Sequence, residues 1–68
     1  MFVVILTEHL VERDYNTFTI RLQPEVKTWL YDYMFGYWQL EYTLDQFEKP
    51  RLMFESESDA ITFSLTWL

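Results

Sequence analysis

The chain has no cysteine, one glycine, two prolines and a single histidine. Without cysteine there is no disulfide staple and no thiolate metal site, and one histidine falls far short of the four ligands of a closed zinc site. A lone glycine also excludes the motifs that need several, so no glycine-rich phosphate loop, dinucleotide fingerprint or nucleophile elbow can be built. Cations are scarce: five Lys and Arg face eleven Asp and Glu, a formal net charge of −6. Gripping a phosphate backbone is driven by cationic side chains displacing counterions, so direct nucleic-acid binding is not expected. The same charge is repelled by an anionic membrane surface, and the longest apolar run, Phe2 to Leu6, is far too short to cross a bilayer. No basic segment precedes that run, which therefore reads as a strand and not as a signal peptide. Zero cysteines suit a reducing cytoplasm, and a cytoplasmic location is the expectation.

What is present points to a folded domain. Half of the residues are hydrophobic, including six Phe, five Tyr and three Trp, whereas disordered chains are poor in such residues. Residues 1–68 make one domain, and a chain this short buries only about 60% of the surface it exposes when unfolded. With disulfides and metals missing, self-association is the remaining aid to stability. So small a core cannot hide that many large rings, and several are expected on the surface, where aromatics mark contact sites.

Phe2-Val3-Val4-Ile5-Leu6 reads as a strand, extendable through Glu8 to Val11. After the polar stretch Glu12 to Asn16, residues Phe18, Ile20 and Leu22 alternate with polar partners, the pattern of a half-buried strand that would pair with the first as a hairpin. Pro24 and Glu25 suit a helix start, and Val26, Trp29, Leu30, Tyr33 and Met34 fall on one stripe, predicting a helix over 24–35 that Gly36 stops. Tyr37 to Leu44 reads as a third strand, with Trp38, Leu40, Tyr42 and Leu44 on one face and Tyr37, Gln39, Glu41 and Thr43 on the other. Asp45 to Pro50 connects it to a fourth strand, Arg51 to Phe54, as a hairpin.

The last segment carries two patterns. Ile61, Phe63, Leu65 and Trp67 alternate as in a strand, yet Ser56-Glu57-Ser58-Asp59 matches a capping box before a helix that would bury Ile61, Leu65 and Leu68. The helix is preferred, because clustered acids suit the positive end of a helix dipole. The order ββαββα predicts an α+β class: two layers, an about four-stranded and mainly antiparallel sheet, helices on one face, and the other face open as a contact surface.

Chemistry-bearing clusters are sparse. In Glu8-His9-Leu10-Val11-Glu12 an extended strand would point His9 away from both carboxylates, so an ordinary surface histidine is the reading. Glu55, Glu57 and Asp59 lack the glycine and ligand spacing of a calcium loop, and helix capping accounts for them. No catalytic residue, metal or cofactor is expected and the chain is not read as an enzyme. A small carboxylate-based enzyme or ligand carrier stays as an alternative, since Asp and Glu pairs catalyse without a motif. The protein-interface candidates are residues off the buried stripe: Tyr31, Asp32 and Phe35 on the helix, Tyr37 beyond Gly36, and Gln39 and Glu41 on the strand face. Phe35 and Tyr37 could equally cover the helix end. Glu8, Glu12, Asp14, Glu41, Asp45, Glu48, Glu55, Glu57 and Asp59 also permit a second alternative, nucleic-acid mimicry, although plain solubility explains such a charge.

The stretch Arg51-Leu52-Met53-Phe54-Glu55-Ser56-Glu57-Ser58-Asp59-Ala60, followed by Phe63, Leu65 and Trp67, resembles the ending of small uncharacterised proteins encoded by tailed bacteriophages, including phages of cyanobacteria. It covers about a quarter of the chain. The resemblance implies a viral protein made in the host cytoplasm for manipulating the host, and carries over no site residues. Residues and resemblance lead to one expectation, a small acidic module that binds a host or viral protein or a second copy of itself.

Overall fold

The computed structural model describes residues 1–43 and 48–68; Leu44, the expected end of the third strand, and Asp45, Gln46 and Phe47 of the connection lie outside the described residues. The described elements are β1 (Phe2–Ile5), β2 (Val11–Asp14), β3 (Thr19–Leu22), α1 (Pro24–Tyr33), β4 (Trp38–Glu41), β5 (Arg51–Phe54) and α2 (Glu57–Trp67). The class is α+β, but the strands form two antiparallel sheets instead of one of four strands. One is three-stranded in the order β1-β5-β4, and the other is the β2-β3 hairpin. No described helix is long and apolar enough to cross a membrane.

The expected pairing of the first strand with Thr17 to Leu22 is therefore corrected. β1 ends at Ile5, a 3-10 turn over Glu8–Leu10 breaks the chain, and β1 pairs instead with β5, Phe2 opposite Phe54 and Ile5 opposite Arg51. Its place beside β3 is taken by β2, in the stretch expected to be a polar connection. Apolar alternation could not reveal β2, because cross-strand charge supports it: Glu12 stands opposite Arg21, and Arg13 donates two hydrogen bonds to the Glu8 carboxylate, at 2.9 and 2.6 Å. The expected β4-β5 hairpin pairing is present, Trp38 opposite Phe54 and Glu41 opposite Arg51.

The register sorts the large sheet into two faces. Phe2, Val4, Leu52, Phe54, Trp38 and Leu40 share the inner face, where Val4, Leu52 and Phe54 join one core with Leu10 and Val11, Ile20 and Leu22 of the hairpin, Val26 and Leu30 of α1, and Phe63 of α2. Each such side chain contributes about 1.5–3 kcal/mol by leaving water. Val3, Ile5, Gln39 and Glu41 point the other way, and among the described residues no helix buries that face.

Both helices meet through one carboxylate. α1 ends at Tyr33, two residues before the expected Phe35, and Gly36 does not stop it by a left-handed turn, for its φ is not positive. Met34 is already extended, and the next two amides are captured: Phe35 N–H and Gly36 N–H both donate to Asp59 Oδ2, at 3.1 and 2.8 Å. Asp59 sits at the third position of α2, whose cap Ser56 accepts weakly from the Asp59 amide at 3.4 Å. A capping box would turn the Asp59 carboxylate back onto its own helix end; here it reaches across to the chain leaving α1. At 3% exposed, Asp59 is the buried charged residue among those described.

That anchor fixes the rotation of α2 and corrects its buried face. Asp59, Ala60 and Phe63 point inward with Trp67 half-buried, while Ile61, Leu65 and Leu68, expected inside, are exposed. Thr62, Ser64 and Thr66, whose alternation imitated a strand, donate to the carbonyls of Ser58, Ala60 and Thr62 at 2.8–2.9 Å and so are satisfied within the helix. Between the helices Trp29 packs against Tyr33, Phe63 and Trp67, with ring centroids 5.4–6.1 Å apart. Tyr33 nevertheless stays exposed, so the predicted α1 stripe is buried at Val26 and Leu30 and only partly elsewhere.

Phe18, expected on a half-buried strand, lies in the β2-β3 turn, exposed and at φ 55°. Left-handed backbone costs a bulky residue about 1–2 kcal/mol, and Asn tolerates it better. Phe18→Asn is thus expected to raise the melting temperature by a few degrees; a fall would show that the ring packs against something. Asp59→Ala strands two partly buried amide donors and is expected to cost about 2–4 kcal/mol in urea unfolding. A loss under about 0.5 kcal/mol would remove Asp59 from its anchoring role.

Candidate functional site

The structure divides the six sequence-selected residues among three places. Tyr31, 68% exposed on α1, meets Trp38 of β4 edge to face, with centroids 5.4 Å apart. Below this pair opens a groove of about 610 Å³ between the β2-β3 hairpin, α1 and β4. Ile20, Leu22, Pro24 and Leu40 supply its apolar lining, and Lys27, Arg21 and Glu12 its charges, with Arg21 and Glu12 4.0 Å apart.

Tyr37, Gln39 and Glu41 lie instead on the open outer face of the sheet. The Tyr37 hydroxyl donates to Gln39 Oε1 at 3.0 Å, and Glu41 forms an ion pair with Arg51 on the neighbouring strand. Val3 and Ile5 are exposed on the same face, so its apolar area lies on β1 and its polar area on β4. Asp32 is exposed on α1, and Phe35, 97% exposed, covers no helix end.

Sequence patterning missed Trp38 and Leu40 as site residues. Their alternation assigns them to the covered face, and they do lie there. β4, however, is a sheet edge, and the covering elements close fully over β5 while leaving the β4 column half-exposed. Lys27 and Arg21 carried no sequence signal, since only the fold brings a helix and a hairpin to the same groove.

Several of the remaining charges are held in pairs and turns. His9 lies in the 3-10 turn, not on a strand, and shares a 3.0 Å hydrogen bond with Thr7. Among the described residues no group of three or more His, Asp or Glu converges on a metal position. The hydrogen bonds from Arg13 hold the Glu8 carboxyl below the ordinary carboxylate range, and pairing raises the Arg13 guanidinium correspondingly. The Asn16 amide, at 2.9 Å, and then Thr17 lower Asp14 in the same way at the hairpin turn.

A carboxylate depressed in the folded state adds stability that is complete above its unfolded value, near pH 4, and is lost as the pH falls through the lower folded value. Asp14→Asn keeps an acceptor for the Asn16 amide but cannot titrate. It is expected to leave the melting temperature at pH 7 little changed and to flatten its fall between about pH 4 and 2. An acid limb identical to that of the unaltered protein would move this dependence to other carboxylates. Comparisons of the chain with protein-family models, with curated proteins and with solved structures find no match.

Proposed function

We propose that the protein is a small acidic protein-binding module whose docking site is the groove under Tyr31 and Trp38. The observation that carries this reading is the edge-to-face pair itself: two large rings, both partly exposed, lining a groove of mixed apolar and charged residues, and of the residue types that dominate binding energy at interfaces. Lys27 and Arg21 place two of the chain's five Lys and Arg there, in a molecule of net charge −6. An apolar or aromatic anchor flanked by acidic residues is the complementary ligand. The resemblance of residues 51–67 to small phage proteins supports a setting in a host cytoplasm and a host or viral protein as the partner.

The charges lend less to nucleic-acid mimicry. Glu8, Glu12 and Glu41 are paired with arginines and Asp59 is buried, which removes four of the acids such a surface would use. Among its described lining residues the groove has one carboxylate, Glu12, which lends little to the reading of a carboxylate enzyme built on an acid pair.

Affinity capture from a bacterial lysate, with the unaltered protein and Tyr31→Ala side by side, tests the reading. A partner that stays bound from about 0.15 M to 1 M salt, where screening falls within about 3 Å, and that is lost on Tyr31→Ala is the expected outcome. A partner released by salt regardless of Tyr31 would instead favour mimicry, and a partner indifferent to both would remove the groove from the account.

A further inference from the structure

We propose that the free edge of β1, together with the outer face of α2, is a self-association surface whose occupant is the same surface of a second copy of this chain. Two β1 strands would pair antiparallel across a two-fold axis and join two three-stranded sheets into one of six. The surface is separate from the groove under Tyr31, and the inference stands whether or not that groove binds a partner.

The first observation is the edge. Among the described residues β1 pairs with β5 on one side only, which leaves a row of backbone donors and acceptors on the other. Natural sheets blunt such edges with Lys, Pro, bulges or inward-pointing charges. Phe2-Val3-Val4-Ile5 has none of these. The opposite edge, β4, carries the Glu41 charge and differs in this respect.

The second observation is the helix beside that edge. Ile61, Leu65 and Leu68 recur at i, i+4 and i+7 and are exposed, Leu65 by 81%. Ile61 and Leu65 line a shallow trough of about 500 Å³ against Met1, Phe2 and Val3, in which Glu57 is the one charged side chain among the described lining residues. The inward anchor at Asp59 sets the rotation of α2 that leaves this stripe outside.

Charge and area both indicate a like copy. Two molecules of charge −6 repel over most of their surfaces, and this nearly uncharged strip is where they can approach at least cost, whereas a cationic partner would gain more elsewhere. Met1, Phe2, Val3, Ile61, Leu65 and Leu68 together leave on the order of 600 Å² of residue surface exposed, backbone included, and the rest of the β1 edge adjoins it. A standard interface needs about 800 Å² from each partner.

The experiment is the mass of the intact protein by light scattering or sedimentation as a function of concentration, alongside Val3→Lys and Leu65→Lys, both at exposed side chains. Twice the chain mass of 8.4 kDa is expected at about 100 µM, with dissociation strengthened at least about tenfold in each variant and an unchanged circular dichroism spectrum. Hydrogen exchange on the unaltered protein is the second readout: β1 amides should slow as concentration rises while β4 amides do not. A monomer at that concentration, or a dimer that both variants leave intact, would overturn the proposal. So would concentration-dependent protection confined to β4.

Discussion

Asp59 determines how the two halves of the molecule meet. A carboxylate taken out of water is costly unless hydrogen bonds compensate it, and here the compensation comes from two consecutive amides of the chain leaving α1. One residue thereby ends the first helix, directs the chain into β4 and fixes the orientation of the second helix. With α2 held at its first turn, Phe63 is delivered to the core against Phe54 of the central strand, their ring centroids 5.6 Å apart. Trp29 of α1 then fills the space between the helices.

The same residue explains which parts of the fold the sequence made legible. α1 was readable because its apolar positions follow the helical period and Pro24 marks its start, features that depend on no distant partner. The existence of α2 was readable from its capping residues, but its buried face was not. Pattern reading turns an aspartate outward, so a buried Asp59 inverts the inferred rotation and exchanges Ile61 and Leu65 for Ala60 and Phe63. β2 was hidden for a related reason, since Glu12 and Arg13 are held by opposite charges, and the rule that neighbouring strands pair fails because β1 takes its partner from the later strand β5, in a different sheet from the β2-β3 hairpin. Of the site, exposure could be inferred for Tyr31 and Tyr37 from their place off the apolar stripes, but not that the sheet would separate them onto opposite sides.

Composition foretold that rings would remain outside, and the structure shows that they are not scattered at random. Tyr31 and Trp38 share one opening, while Tyr37 is tied to Gln39 on the other side. Five of the eleven carboxylates are committed in a similar way, Glu8, Glu12 and Glu41 to ion pairs, Asp14 to its turn and Asp59 to the interior. Much of the formal charge is thus committed to architecture, and the surfaces with the fewest charges are those with the most exposed carbon.

The insertion of β5 between β1 and β4 has a consequence for how the chain is made. The partner of Phe2 is Phe54, so the chain must be synthesised through Phe54 before β1 can enter its sheet. At about 5–20 residues per second, apolar β1 waits several seconds on the ribosome with its pairing groups unclaimed. The hairpin and α1 close over short sequence distances and are free to form during that interval. Closure of the main sheet is then a late, long-range step, during which β1 stays open to other contacts.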